Sequence, residues 1–407
     1  MNIKKESTKY TIKYSAIQGS YWPIYCSSCS FASVFLLSRN FSNFQIGIVL
    51  ALANVFAVFL QPAIASFADT TKKITLKNLI ALLSLIACVI TAIVCLIPDM
   101  ILILAILLVL ELTILFTLQP LTSALGMNMI NKGIPLNFGL ARGIGSFSFA
   151  IFSYIVGVFV EHFGPGSTQV ASVVMFLIFT MFTFSFTHNK KESLAEASST
   201  DNSLEEVSPS PEPAPKALNV IQFAKKYKRF VLLILAVAIT FCSHTMINNY
   251  FIQVIESIGG NTKDMGTAIA LAAFVELPAM TLFMPLSKKM RCSTILKSTF
   301  FFFLVKAVIT LVSTNVWMIY IAQLFQFTAY AMFIPASIYY VNQTIGSSDL
   351  VKGQAFMAGA ITLSGVIASL IGGVILDGPG VNVMLIIGVL SAVVGLLLSI
   401  PSIQKTE

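Results

Sequence analysis

The sequence predicts an all-α membrane protein, with twelve transmembrane helices in two parallel six-helix halves. Three observations carry that prediction. The 407 residues are 57% hydrophobic and only 10% charged, with a mean hydropathy of +0.87, more apolar surface than a soluble domain can bury. Runs long enough to cross the ~30 Å hydrocarbon core, which takes about 20 helical residues, recur along the whole chain. One polar stretch divides them six and six, and the two sides repeat a motif.

The first six spans fall roughly at 14–38, 44–68, 74–97, 100–130, 137–161 and 168–187. Span one follows Lys4, Lys5, Lys9 and Lys13, with no small-residue cleavage site after a short apolar core, so it reads as a span rather than a cleaved signal. The remaining six fall at 229–256, 264–287, 293–314, 316–343, 353–376 and 381–401. Between them, residues 188–228 are rich in Ser, Glu and Pro and cannot bury enough apolar area to fold. The expected organisation is an N-terminal half (1–187), a mostly disordered cytoplasmic linker (188–228) and a C-terminal half (229–407). The basic stretch from Ala217 to Arg229 is expected as a short helix on the membrane surface.

"IVGVFVEHFGPG" (155–166) closes span five and "IGGVILDGPG" (371–380) closes span eleven. Gly157, Val158 and Glu161 are thus matched by Gly373, Val374 and Asp377. An even number of spans per half preserves orientation, so the repeats are parallel and a solute site is expected between them near the midplane.

The net charge of +8 reflects topology rather than nucleic-acid recognition. With the N-terminus cytoplasmic, only Arg39 and Lys263 fall outside and only Arg142 and Lys306 are embedded; every other Lys and Arg is cytoplasmic. That asymmetry puts both termini in the cytoplasm. The six cysteines lie in or at the ends of spans, and "CSSC" at 26–29 is read as packing rather than redox or metal chemistry. Phosphate-cradling loops, zinc spacings and a nucleophile elbow are absent. The chain is therefore expected to be no enzyme and to take no metal or cofactor.

Glu111 (span four), Arg142 (span five), Glu276 (span eight) and Lys306 (span nine) are embedded. An Asp, Arg or Lys at a helix centre costs about 2.5–3.5 kcal/mol on insertion scales, so such groups face a cavity or a partner. Two acids and two bases suggest pairing. Structural ion pairs would satisfy that, and Arg142, near the helix end, could instead snorkel. The repeat argues for a cavity role, because the counterpart of Arg142 is Ala358. Gly139, Gly143 and Gly145 are expected to let neighbouring backbones approach. The guanidinium is a rigid fork of donors suited to sugar hydroxyls or a carboxylate.

Polar and aromatic residues recur at one-face spacing: Gln18, Tyr21, Trp22 and Tyr25 in span one, His244 and Asn248 in span seven, Gln323, Gln326 and Tyr330 in span ten. Each alone reads as interhelical hydrogen bonding; together they suit a neutral polar ligand with an apolar face. Sugars, nucleosides and aromatic acids all fit. His244 is either a proton carrier or a neutral group bonded across helices.

"FSNFQIGIVLALANVFAVFLQPAIASFADTTKK" (41–73) resembles the second span and gating loop of major facilitator proteins of the oligosaccharide–proton symporter type. Gln61, Pro62, Asp69, Lys72 and Lys73 carry the match, while Ala65 and Thr70 replace the usual Gly and Arg. "FGLARGIGSFSFA" (138–150) resembles that family's fifth span. The resemblance implies a sugar-binding role for Arg142 and ring stacking for Phe149. "AFVELPAM" (273–280) aligns Glu276 with a coupling acid, and Lys306 falls where span nine carries a cation. "SHTMINNYF" (243–251) is closer to the phenylpropionate-permease branch. Departures fall in span ten, where Gln323, Gln326 and Ala329 replace a lysine, a histidine and a glutamate, and in span four, where Ala124 replaces the arginine's acidic partner.

The expectation is a permease in the cell membrane, functional as a monomer among membrane lipids. It moves a small organic solute, a sugar or glycoside, by alternating access, with H+ as the candidate coupled ion. Arg142, Trp22, Tyr25, Phe149, His244, Asn248, Gln323, Gln326 and Tyr330 are the substrate candidates. Glu276, Lys306 and Glu111 are the proton-coupling candidates. Drug efflux, and a non-transporting sensor signalling through the linker, are the alternatives.

Overall fold

The computed structural model describes residues 2–70, 74–131, 134, 136–186 and 219–405, and among them the regular structure is helical throughout. Ten helices are long and apolar enough to cross a membrane, and Thr262–Ser287, bent by 41° near Pro278, makes an eleventh; Pro removes one backbone hydrogen bond and crowds the preceding turn. The first crossing is the most polar. It runs as Asn2–Tyr25, a π-helical turn Cys26–Ser30, and Ala32–Ser38. Linker residues 188–218 lie outside the described residues. Within the basic stretch 217–229 a short helix forms, Val220–Lys226. Lys226 pairs with Asp349 at 3.3 Å and the Tyr227 hydroxyl donates to the same carboxylate at 3.2 Å, which ties this helix to the start of span eleven.

Local sequence explains several helix starts. Asn137, Asn261 and Asn315 each accept a backbone N–H of the turn they precede, the preferred N-cap chemistry. At Asn261 the bond is reciprocated by Asp264 to complete a capping box.

The halves join through two helix pairs, five with eight and two with eleven. One apolar core fills the N-terminal half and continues, around Tyr250 and Ile255, into the C-terminal half at the end away from the termini. Toward the termini the C-terminal half has its own core, around Phe241 and Phe333. The apolar core is therefore shared between the halves at the far end, whereas toward the termini each half has its own.

The sequence repeat lies at the far end. A Cβ on Gly157 would stand 2.8 Å from the Thr262 carbonyl oxygen and 3.1 Å from Gly266 Cα; one on Gly373 would stand 2.5 Å from the Asn43 carbonyl oxygen. Only glycine lets these backbones touch. Four residues on, each repeat places an acid at the start of a helix in the opposite half. Asp377 accepts from Asn43 N and Asn43 Nδ2, both at 2.9 Å, and from Phe44 N at 2.8 Å. Glu161 accepts from Asn261 Nδ2 at 3.2 Å. Each carboxylate sits on the positive end of a helix. Between the two clasps, Gln253 Nε2 donates to Asn43 Oδ1 at 2.8 Å, and the Ser33 hydroxyl bonds the Asn249 carbonyl.

Candidate functional site

Span one meets span five along the midplane wall of the N-terminal half. The Arg142 guanidinium lies over the Trp22 ring, 4.0 Å from its centroid. A cation on an indole face is attracted by the ring quadrupole. Trp22 is held in that pose. Its indole Nε1 donates to Gln18 Oε1 at 3.2 Å, Gln18 Nε2 donates to the Tyr14 hydroxyl at 2.8 Å, and that hydroxyl donates to the Thr122 carbonyl at 3.0 Å. Gly145 makes room for the ring, since a Cβ there would stand 2.5 Å from Trp22 Cδ1. Tyr25 (5.5 Å) and Phe149 (6.4 Å, edge-on) extend the aromatic wall. Among the described residues Arg142 Nη1 is buried with no hydrogen-bond partner, an unspent donor in a low-dielectric place.

The facing wall comes from spans seven, eight, nine and ten. Lys306 Nζ donates to Gln326 Oε1 at 2.5 Å, and Gln326 Nε2 donates to Glu276 Oε1 at 2.9 Å. The amide thus bridges cation and acid. Gln326 precedes a π-helical turn, Phe327–Ala331, one turn upstream of Pro335; π-turns are frequent at functional sites. Tyr330, on that turn, stacks on His244 at 5.4 Å, and His244 Nε2 contacts Asn248 Nδ2 at 3.1 Å. Asn248 is exposed although it lies inside span seven.

The two walls face each other. Gly143, beside Arg142, faces Leu277, beside Glu276: a Cβ placed on Gly143 would stand 3.9 Å from Leu277 Cδ2. Arg142, Glu276 and Tyr330 are within electrostatic reach of one another. Trp22, Tyr25, Phe149, Arg142, Glu276, Gln326, Tyr330, His244 and Asn248 therefore line one region between the halves. Gln323 is buried at 3% exposure and makes no side-chain bond with this network.

Several expectations are corrected. Among the described residues the embedded charges form no direct ion pair with one another, whereas Arg39 pairs with Asp99 and Lys226 with Asp349. Glu276 and Lys306 meet through Gln326, which spares the site a direct charge contact while both groups keep a strong hydrogen bond. Arg142 neither pairs nor snorkels but rests on Trp22. Gly139 and Gly143 make no close backbone approach; Gly145 does, since a Cβ there would stand 3.2 Å from the Gln18 carbonyl oxygen as well as against the Trp22 ring. Glu111 lies apart, fully buried inside the N-terminal half against Ser28. In the gating loop, Lys72, Lys73 and the side chain of Asp69 lie outside the described residues. Sequence reasoning missed Asn43 and Asn261, which complete the far-end clasps. An Asn before the first turn of spans two and eight was the available signal.

Residues 14–386 match the model of the MFS_1 like family. No curated protein matches the sequence. Among solved structures, a point mutant of nucleoside transporter NupG superposes with a TM-score of 0.79 at 10% identity, covering 97% of this chain and 100% of that one. An auto-inhibited POT family peptide transporter gives 0.67 at 10% identity (97% and 95% covered). A bacterial homologue of the human lysosomal transporter Spinster, inward-facing and unoccupied, gives 0.62 at 12% (98% and 95%). At these identities the likeness speaks for the fold. With the family model spanning nearly the whole sequence, and with the twelve-crossing fold of two halves that these transporters share, the chain is a transporter rather than an enzyme, and it belongs to the MFS_1 like family of major facilitator proteins.

Proposed function

We propose that this transporter is a permease for a sugar or glycoside, working by alternating access with proton symport. The carrying observation is Arg142: a guanidinium set on an indole face, with a buried donor left unpartnered. A sugar presents hydroxyls to such a fork and an apolar ring face to Trp22, Tyr25 and Phe149. Nucleosides are N-glycosides and belong to the same reading, and the NupG structures are titled as nucleoside transporters.

Glu276 is the proton site in this reading. Its link to Lys306 runs through one amide, so movement of span ten would change its partners as the halves rock. The halves are 1–187 and 229–407, joined by the cytoplasmic linker 188–228. The positive-inside asymmetry places both termini in the cytoplasm of a cell-membrane protein acting as a monomer. On that orientation the far end faces outward and the end bearing the termini inward.

The test is a thermal-unfolding screen of purified protein in detergent against sugars, nucleosides, aromatic acids and lipophilic cations. A ligand at about 100 times its Kd adds roughly 2.7 kcal/mol to the folded state. The expected result is stabilisation by a sugar or nucleoside that Arg142→Ala abolishes. Stabilisation by lipophilic cations that Arg142→Ala leaves intact overturns the reading in favour of efflux. In proteoliposomes, Glu276→Gln should lose uphill accumulation while keeping exchange; retained accumulation removes Glu276 from coupling.

A further inference from the structure

Glu111 has no role in the site between the halves, yet among the described residues it is the most deeply buried acid, with 0% exposure. Its surroundings are hydroxyls. Ser28 Oγ lies 2.6 Å from Glu111 Oε1 and 2.9 Å from Ser172 Oγ; Ser172 Oγ lies 2.7 Å from Ser27 Oγ and 3.0 Å from the Thr168 carbonyl oxygen; Ser27 Oγ lies 3.1 Å from the Pro23 carbonyl oxygen. Glu111 Oε2 is buried with no hydrogen-bond partner among the described residues. No Lys, Arg or His stands within ion-pair distance among the described residues, and Arg39, at the far end of span one, is paired with Asp99 at 2.7 Å. The titratable groups that feel the Glu111 charge are the thiols of Cys88 and Cys95 from span three. Span six contributes Ser172 and uncharged neighbours.

A hydrogen inventory distinguishes the two protonation states. Each hydroxyl has one hydrogen to donate, and an ionised carboxylate has none. With Glu111 ionised, Ser28 must donate to it, Ser172 to Ser28 and Ser27 to Ser172, so all three hydrogens point back along the chain and none reaches the Pro23 or Thr168 carbonyls. The charge is then desolvated, with Ser28 donating to it and Oε2 empty, because Thr91, the other hydroxyl beside the carboxyl, donates to the Ala87 carbonyl oxygen at 2.8 Å. With one proton added on Oε1, the chain reverses. Glu111 donates to Ser28, Ser28 to Ser172, Ser172 to Ser27 and Ser27 to the Pro23 carbonyl, and every hydroxyl donates once and accepts once. The orphaned Oε2 becomes a neutral carbonyl oxygen, far less costly to leave bare than half of a charge.

We propose that Glu111 with Ser28, Ser172 and Ser27 is a second proton-binding site, enclosed in the N-terminal half and distinct from Glu276. Ser27 and Ser28 lie on the π-helical turn of span one, Cys26–Ser30, five residues before Ser33, which bonds the opposite half at Asn249. Proton occupancy at Glu111 therefore sets the hydrogen-bond direction of the turn where span one bends toward the far-end closure.

The test reads the carboxyl group itself and uses no substrate, so a failed sugar screen leaves it untouched. Infrared pH-difference spectra of the full chain in detergent should show the C=O band of a protonated, buried acid that fades as pH rises. That band should vanish in Glu111→Gln and persist in Glu276→Gln. Ser28→Ala removes the hydroxyl that donates to the ionised carboxylate, a stronger bond than the one it accepts from the neutral acid, and should shift the band's midpoint upward by about one pH unit, a tenfold gain in proton affinity. If Glu111→Gln does not fold, Ser172→Ala, which breaks the chain one link further on, should move the midpoint in the same direction. The proposal is overturned if no titrating band depends on Glu111, or if its midpoint is indifferent to both serines.

Discussion

Replacing Asp377 with alanine should open the end of the transporter away from its termini. The carboxylate accepts three hydrogen bonds across the interface between the halves, two of them from the first backbone N–H groups of span two. Bonds to a charged group are worth about 1.5–3 kcal/mol each when buried. Asp377 is exposed, so the better guide is the loss of a helix cap, about 0.5–2 kcal/mol, with a dipole contribution of about 0.3–1 kcal/mol. A loss of about 1–2 kcal/mol shifts a two-state ratio by a factor of roughly 5–30, and it falls on the closed state alone because the partners separate on opening. Spin labels at the exposed residues Phe163 and Trp317, one in each half at that end, would report the change as a longer-distance population. Asp377→Asn, which keeps acceptor oxygen but loses charge, should fall between. Glu161→Ala removes a single 3.2 Å bond and should move the distribution less. Equal effects from Asp377→Ala and Glu161→Ala, or no effect from either, would refute the reasoning.

Gly157→Ala places a methyl against the Thr262 carbonyl and Gly266 Cα, backbone atoms that cannot rotate away. Overpacking of about 1–3 kcal/mol should weaken the same closure, read by the same pair of labels. Trp22→Ala removes the face under Arg142, worth about 0.5–2 kcal/mol; both the unliganded melting temperature and the ligand stabilisation in the thermal screen should fall. Gln326→Leu cuts the bridge between Lys306 and Glu276 at both ends, two bonds to charged groups at about 1.5–3 kcal/mol each. Uphill accumulation should collapse, and unliganded stability should drop more than in Trp22→Ala; the reverse order would show that the bridge is not structural.

The helices were legible because membrane burial writes itself into composition. A span must be apolar along its length, and the polar stretch at 188–228 interrupts that pattern once. Span one shows the limit of the signal, since its lysines and its Ser-rich turn dilute the apolar run, although packing places it against spans five and six. The site residues were legible as types. Arg142, Trp22, Glu276 and Lys306 stood out because charge or a polar aromatic inside a span is costly. Their partners were not legible. Pairing by charge predicted ion pairs, whereas the fold puts the cation of Arg142 on an indole and an amide between Glu276 and Lys306. Sequence gives the cost of each group but not the distances that decide how it is met.

The sequence by itself determined the crossings, the two-half organisation and the repeat at Gly157–Glu161 and Gly373–Asp377, because hydropathy and residue identity are properties of the chain alone. Only the tertiary structure decided what the repeat is for. Each glycine and acid acts on a helix of the other half, more than a hundred residues away for Gly157 and more than three hundred for Asp377. The same holds for the serines around Glu111, which come from spans one and six and meet only when the bundle forms. Contacts between distant segments depend on how helices pack, and packing depends on every residue along both faces at once.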